Sequence, residues 1–344
     1  MKKILLLGTC YLVLSCGQFK AQSTKINDFS KVDVTKYLNT ITASDLSKHL
    51  YIVAADSMQG RDTGSEGQKK AGKYLIAAYE KMEISFPKGA TSFYQQVPSA
   101  FMKRSYSPTP NDSENIWAFI EGTEKPEEIL VISAHYDHVG TKNGEIFNGA
   151  DDDGSGTVAL LEIAQAFKKA KKDGYSPKRS ILFLHVTGEE KGLHGSRYYA
   201  ENPLFPLKNT IANINIDMIG RRDTLHKNTN NYIYVIGSDR LSTDLHKINE
   251  EANAKYTKLE LDYKYNDIND PERIYYRSDH YNFAKKGIPA LFFFNGVHED
   301  YHLPSDTPDK IEYDALAKRA QLAFATAWEL ANRKERPVVD KDGK

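Results

Sequence analysis

Short apolar runs alternate with stretches of helical periodicity along most of this chain. The strand-like runs cover residues 115–122, 128–135, 179–186, 211–217, 231–237, 258–263 and 289–296. Helical spacing covers residues 44–58, 65–82, 156–172, 193–201, 239–255, 278–286 and 313–332. This alternation predicts the α/β class, with a mostly parallel, twisted central sheet and helices on both of its faces.

Local signals place the first helices. Ser65 followed by Gln68 is a capping-box arrangement and predicts a helix that begins at residue 66. Ser44 is a candidate cap for the preceding helix, which is expected to run to about Met58. With 344 residues, one domain is expected at 41–335, after a polar, extended lead-in at 22–40 and before a polar tail at 336–344.

The first fifteen residues have the pattern of an export signal. Lys2 and Lys3 precede an apolar run that is too short to span a bilayer. Two cleavage sites remain open. Residues 13–16 look like a lipobox, which would leave Cys16 as a lipidated N-terminus, and an ordinary signal peptidase could instead cut after Ala21. The lipobox is the favoured choice, so we expect a periplasmic protein that is membrane-anchored by its lipid, with secretion as the alternative.

Charge and cysteine content narrow the chemistry. The 46 basic and 46 acidic residues balance, which gives no electrostatic argument for a nucleic-acid partner. Both cysteines, Cys10 and Cys16, lie in the signal region. The folded body therefore has no thiolate, and any metal must be held by His, Asp and Glu side chains.

Five candidate metal ligands lie where strand-like runs end. In an open α/β sheet, ligand sites form at the carboxyl ends of the strands. No thiolate occurs among the five, which favours a metal-dependent hydrolase. The candidates are His135, Asp152, Glu190, Asp217 and His302.

Acidic neighbours strengthen this interpretation. Asp137 lies two residues after His135, so its carboxylate could accept the second ring N–H of that histidine or orient the site indirectly. Glu189 and Glu190 would point in opposite directions in an extended segment, so one could bind a metal while the other acts as general base. Two divalent ions carry four positive charges, and the three ligand carboxylates carry three negative charges. The remaining positive charge suits one bridging hydroxide.

The motifs AHYDH, GADDDGSG, GEE, NIDM and the YH that precedes LPSD occur in this order. The series resembles the co-catalytic di-zinc aminopeptidases of the bacterial leucyl aminopeptidase and aminopeptidase S type. Glutaminyl cyclase and glutamate carboxypeptidase share that zinc peptidase family. The resemblance extends from about residue 44 to 311 and implies the zinc exopeptidase fold. Only about 30 residues separate the helix at 65–82 from the strand at 115–122, too few for an inserted protease-associated domain.

The resemblance also implies a role for each site residue and an activity on peptides with a free N-terminus. Two zinc ions are the expected cofactors, and cobalt or manganese could occupy the same ligands. By the resemblance, His135 and Asp217 bind one zinc, Glu190 and His302 bind the other, and Asp152 bridges the two ions. Glu189 would be the general base, and Asp137 would support His135. Tyr301 would either support the oxyanion or have a packing role.

Two other functions remain open. A glutaminyl cyclase would have the same fold, but such enzymes typically use one zinc, whereas all five ligand types occur here. A non-catalytic binding lipoprotein would be expected to lose Glu189 or a ligand. His185 is expected to be a core histidine. His138, His280 and His298 could line the site, but hydrogen-bonded loop roles are expected for each. The preferred N-terminal residue and the oligomeric state are left open.

Overall fold

The computed structural model describes residues 32–104 and 108–343. The predicted export signal, with Cys10 and Cys16, and the lead-in up to residue 31 lie outside these ranges. The strands are β1 Tyr94–Val97, β2 Ser113–Ile120, β3 Lys125–His135, β4 Thr141–Lys142, β5 Glu145–Ile146, β6 Arg179–Val186, β7 Thr210–Ile216, β8 Tyr232–Ile236, β9 Glu260–Asp262 and β10 Ala290–Phe294. The helices are α1 Thr35–Leu38, α2 Ala43–Val53, α3 Glu66–Lys81, α4 Gly156–Lys172, α5 His194–Glu201, α6 Thr243–Ala252, α7 His280–Ala284 and α8 Tyr313–Asn332.

Eight strands form one sheet in the order β1-β2-β6-β3-β7-β10-β8-β9, and β4 and β5 form a separate hairpin. The pairs β6–β3, β3–β7, β7–β10 and β8–β9 are parallel. The pairs β1–β2, β2–β6 and β8–β10 are antiparallel. The predicted mostly parallel sheet is confirmed, and its four central strands all run in one direction.

The sheet is covered on both faces, as predicted. Successive residues of a strand point to opposite faces. In β3, Leu130 and Ile132 belong to the large core that also contains α4 and α8, whereas Ile129 and Val131 belong to a smaller core on the other face. Residues of α5 and α7 complete the smaller core. Burial on both faces explains why these strands read as continuous apolar runs.

Local capping determines where the first helices begin. The Ser65 side chain accepts a hydrogen bond from the backbone N–H of Gln68 at 3.2 Å, and α3 begins at Glu66, as predicted. The predicted N-cap and the predicted C-terminal end of α2 were both wrong. Thr42, not Ser44, accepts the capping hydrogen bond, and the helix ends at Val53 because a short, irregular turn begins at Asp56.

The segments that flank the predicted domain pack against it. The lead-in is not extended throughout, because residues 35–38 form α1, in which Tyr37 and Leu38 are buried. In the tail, Arg336 donates hydrogen bonds to the backbone carbonyls of Lys208 and Thr210. Between α3 and β2, the described residues contain only β1 and loops, with no inserted domain. None of the helices in residues 32–104 and 108–343 is long and apolar enough to cross a membrane.

Candidate metal centre

The carboxyl ends of the four central strands meet at one edge of the sheet. His135 is the last residue of β3, and Asp217 directly follows β7. Glu190 and His302 lie in the loops that follow β6 and β10, and Asp152 lies in the turn that leads into α4. Because β6, β3, β7 and β10 are adjacent and parallel, these loops converge on one place.

All five predicted ligands come together there, with Asp152 between two imidazoles. Nε2 of His135 lies 3.2 Å from Oδ1 of Asp152 and 3.5 Å from Oδ1 of Asp217. Nε2 of His302 lies 3.0 Å from Oδ2 of Asp152 and 3.1 Å from Oε2 of Glu190. Each oxygen of the Asp152 carboxylate thus faces a different histidine, which is the position that a bridging ligand requires.

Donor atoms of this cluster are close together without being hydrogen-bonded. Within the described residues, Nε2 of His135, Nε2 of His302 and Oε1 of Glu190 have no hydrogen-bond partner. Buried polar groups without a partner are costly and call for an explanation. Atoms bound to one zinc ion at about 2.0–2.2 Å are themselves roughly 3.0–3.5 Å apart, which matches the distances above. The donor set therefore fits divalent ions that prefer nitrogen and oxygen ligands.

His138 is a further member of the cluster. Its Nδ1 lies 2.8 Å from Oε1 of Glu190 and 3.7 Å from Oδ2 of Asp152. The side chain is fully buried, and Gly149 packs directly on its ring, where a Cβ would lie 2.4 Å from the ring. The expected hydrogen-bonded loop role was wrong, because neither ring nitrogen has a hydrogen-bond partner in the described part of the chain. Its position three residues after His135 was the available signal.

The three consecutive aspartates have different surroundings. Only Asp152 has both carboxylate oxygens directed at imidazoles of the cluster. Asp153 accepts hydrogen bonds from the backbone N–H groups at the ends of β3 and β7. Asp151 lies 3.2 Å from Nε2 of His298, whose Nδ1 accepts a hydrogen bond from the backbone N–H of Asp300 at 3.3 Å, so His298 has the expected hydrogen-bonded loop role. Asp151 therefore holds a surrounding loop, and Asp152 faces both histidines of the cluster. Asp153 holds the strand ends and also has a carboxylate oxygen within 4.8 Å of donor atoms of His135 and Asp217.

Asp137 does not make the contact that its spacing predicted. Its carboxylate lies 3.7 Å from Nδ1 of His135, too far for a hydrogen bond. The ring nitrogen is closer, at 3.1 Å, to the backbone carbonyl of Asp137. The carboxylate instead accepts hydrogen bonds from the hydroxyl of Thr63 at 2.7 Å and from the backbone N–H of Glu189 at 3.2 Å. The reason is that the strand ends at His135, so the side chain of Asp137 is free to turn toward these donors.

The pKa shifts in the cluster reflect the shared burial of opposite charges. Burial would lower the pKa of His302, but the carboxylates of Asp152 and Glu190 outweigh it and raise this pKa to about 10. Burial would raise the pKa of Asp152, but the imidazoles of His135 and His302 that face its carboxylate hold this pKa well below the usual range. Glu189 differs, because burial raises its pKa well above that of an ordinary carboxylate. Raised basicity of this kind is typical of a group that takes up a proton.

Two cavities adjoin Glu189. The first, here called the apolar pocket, has the apolar side chains Met218, Ile274, Phe292, Phe294 and Val297 in its lining, together with Asp152, Glu189, Asp217, Arg277 and Tyr301. The second, here called the basic groove, has a volume of about 980 Å³ and contains the side chains Arg104, Arg197, Arg277 and Lys285. Tyr301 lines both cavities, and its ring stacks on that of His302 at 4.0 Å between centroids.

One buried arginine holds the loop behind the cluster. Arg61 is fully buried and donates hydrogen bonds to the backbone carbonyls of Val53, Tyr136, Asn148 and Gly149 at 2.7–3.0 Å. These carbonyls come from the end of α2 and from both sides of the β4–β5 hairpin. This role could not be predicted from the sequence, because three of the four carbonyls lie 75–88 positions away from Arg61.

Comparisons with known proteins agree with the motif-based resemblance. The model of "Peptidase family M28" matches residues 115–327. A "Probable leucine aminopeptidase" of Trichophyton verrucosum is 33% identical over 225 residues, which are 63% of this chain and 57% of that protein. The chain thus spans about half the length of the curated relatives it matches.

Solved structures show the same fold. LapB from Legionella pneumophila superposes with a TM-score of 0.69 at 21% identity, covering 90% of this chain and 77% of that one. Porphyromonas gingivalis glutaminyl cyclase superposes with a TM-score of 0.63 at 18% identity, covering 83% of this chain and 97% of that one. The match to the family model covers more than half of the chain, and on that basis the protein belongs to peptidase family M28.

Proposed function

We propose that this protein is an exported, metal-dependent aminopeptidase that removes N-terminal residues from peptides and uses two zinc ions. The observation that carries the proposal is the cluster in which Asp152 lies between His135 and His302, with buried donor atoms that have no hydrogen-bond partner. A set of nitrogen and oxygen donors without thiolate suits catalytic zinc.

The donors divide into two groups around Asp152. His135 and Asp217 would hold one ion, and Glu190 and His302 would hold the other, with Asp152 shared. His138 is a further nitrogen donor for the second ion, because its Nδ1 lies close to Glu190 without hydrogen-bonding to it. The second ion would then have one protein ligand more than the first, which leaves the first with more room for substrate.

When bound, a pair of divalent ions lowers the pKa of a water molecule and polarises a peptide carbonyl. Glu189 lies beside Asp152 and Asp217 in the lining of the apolar pocket, within reach of a peptide bound over the cluster. Its carboxylate takes a proton from the attacking water and then donates that proton to the leaving amine. Asp137 holds the backbone N–H of Glu189 at 3.2 Å and so positions the base.

The cavities account for removal of one residue at a time. The apolar pocket is small and bounded by aromatic and aliphatic side chains, so it suits the side chain of a single residue. The basic groove, which shares Glu189, Arg277 and Tyr301 with the apolar pocket, is larger and more open. A peptide would therefore place its N-terminal side chain in the apolar pocket and its remaining residues in the groove.

The test is mass spectrometry of a mixed peptide pool incubated with the zinc-loaded protein, with Glu189→Gln and with Glu201→Gln. Glu201 is an exposed residue at the end of α5 and serves as the matched control. We expect stepwise loss of N-terminal residues with the wild type and the control, and at least a roughly 100-fold slower loss with Glu189→Gln, the range of general-base catalysis.

Two other results would overturn the proposal. Loss of ammonia from peptides with N-terminal glutamine, without shortening, would identify a glutaminyl cyclase, which has the same fold. No change in any peptide would favour the non-catalytic binding lipoprotein. Equal activity of the wild type and Glu189→Gln would contradict the role assigned to that residue.

A further inference from the structure

The basic groove concentrates positive charge at one side of the cluster. Its lining includes Arg104, Arg197, Arg277 and Lys285, and its acidic residues are Glu189 and Glu190 alone. Within the described residues, none of the four cations has a carboxylate oxygen within 4.0 Å. Unpaired cations gathered in a concave surface favour an anionic ligand.

Not every cation at this edge is free. Lys191 comes from the same loop as Glu190, and its ammonium pairs with the carboxylate of Asp62 at 2.7 Å. A general excess of surface lysine does not therefore explain the groove. The difference is that the four groove cations face a cavity that leads to Glu189, whereas Lys191 is neutralised outside it.

Two of the cations are held in place by packing. The guanidinium of Arg197 stacks on Phe101 at 4.3 Å and donates a hydrogen bond to the carbonyl of that residue, while its Nε is buried without a partner. The guanidinium of Arg104 occupies the space that a side chain at Gly192 would fill. Positioned cations lose less side-chain freedom when they bind an anion.

The other two cations, which are exposed like Arg104, lie on the path of a substrate. Arg277 lines both the apolar pocket and the basic groove, so it lies between the two cavities. Lys285 lies beside the ring of Tyr281, with its ammonium 5.0 Å from the ring centroid. A peptide that extends from the apolar pocket past Glu189 would reach both residues with the part that follows the scissile bond.

We propose that the basic groove binds a carboxylate on the leaving side of the scissile peptide bond. This inference rests on the proposed aminopeptidase function and specifies its substrate class: short peptides whose C-terminal carboxylate reaches the groove, or peptides with an acidic residue after the cleaved bond. A guanidinium recognises a carboxylate through paired hydrogen bonds, and the leaving fragment is where that anion would lie.

The experiment compares matched pairs of substrates. Leu-Gly and its amide differ only in the C-terminal carboxylate, and Leu-Glu-amide and Leu-Gln-amide differ only in the side chain. We expect kcat/KM to be about tenfold higher for the acid of at least one pair, as for one charge-assisted hydrogen bond. Which pair shows the preference identifies the source of the carboxylate.

Variants then assign the preference to the groove. In Arg277→Gln/Lys285→Gln we expect the acid-to-amide ratio of kcat/KM to fall to about twofold or less, since the charge contact is lost. The ratio within each pair is the readout, because both members of a pair experience any other effect of the substitutions on the site. Lys286→Gln is the matched control, because Lys286 is exposed next to Lys285 but does not line the groove. Its ratio should equal that of the wild type.

The inference is overturned if the wild type cleaves both members of each pair equally, or if the double variant keeps the full preference. If the wild type cleaves no peptide, the proposed function fails. The carboxylate preference of the groove is then tested separately by calorimetric binding of the same peptide pairs to the zinc-loaded wild type. A tighter Kd for the acids that the double variant loses would support the groove, and equal Kd values would overturn it.

Discussion

His138 provides the sharpest test of the metal centre, because a loop role was expected for it and the structure places it beside two predicted ligands. Its Nδ1 lies 2.8 Å from Glu190 and 3.7 Å from Asp152, in neither case as a hydrogen bond. If His138 donates to the second ion, His138→Ala removes one of four protein donors. If it only fills space, the same change removes a buried ring and leaves the donors intact.

The two roles predict different magnitudes. Loss of even an outer contact of a metal site lowers affinity about 10- to 100-fold, so loss of a donor should cost at least about 1.4–2.8 kcal/mol of binding free energy. Loss of the buried ring alone should lower the free energy of unfolding by about 1–3 kcal/mol with no change in metal affinity. His138→Asn provides a rescue, because its Oδ1 can take the place of Nδ1 of the imidazole.

The assay is competition between the protein and a chelator of known affinity, with metal content measured after dialysis and unfolding measured separately in excess chelator. We expect one of two bound ions to be lost from His138→Ala at a chelator concentration at least about tenfold lower than from the wild type, with partial recovery in His138→Asn. Chelator curves that coincide for the wild type and His138→Ala would refute the donor role, whatever the change in stability.

Three further predictions concern other parts of the chain. Thr63→Val should lower the free energy of unfolding by about 1–3 kcal/mol in chemical denaturation, because it leaves the buried carboxylate of Asp137 without its hydroxyl donor, and unchanged stability would contradict this. Burial lowers the pKa of His185 to about 3 from 6.5, so the unfolded state binds more protons below pH 6.5 and stability should fall between pH 6.5 and 3. The loss from this group is about 2 kcal/mol at pH 5, and His185→Gln, which keeps a partner for Tyr79, should flatten the pH profile in that range. Fatty-acid labelling of the full chain in a bacterial host should disappear in Cys16→Ser, whereas labelling of neither protein would favour cleavage after residue 21.

The ligand candidates at strand ends were the part of the metal centre that could be predicted well from the sequence. Four of the five ligand candidates follow a strand-like apolar run, and adjacent parallel strands bring such residues to the same edge, whereas Asp152 lies in the turn before α4. The same reasoning could not tell which of Asp151, Asp152 and Asp153 faces the cluster, because that choice depends on the backbone path of an irregular turn. The resemblance to a family, rather than the spacing, singled out the middle one.

Features that depend on tertiary contacts were missed or misassigned. The hydrogen bond that the carboxylate of Asp137 accepts from Thr63 was not predicted, because the two residues lie 74 positions apart and no local pattern pairs them. His138 was assigned to a loop because an isolated histidine near a strand end has no periodic signal. Burial that is nearly complete on both faces also hides strand direction, so the antiparallel places of β2 and β8 could not be read from their apolar runs.

Arg61 has a consequence for how this protein can be divided. The family match begins at residue 115, yet the carbonyls of Tyr136, Asn148 and Gly149 within it depend on a guanidinium supplied from residue 61. A fragment trimmed to residues 115–327 would leave three buried acceptors unmet, at about 1–3 kcal/mol each. The segment that matches the family model is therefore shorter than the segment needed for a stable fold. A shortened version intended for crystallisation or engineering should retain the chain from α2 onward.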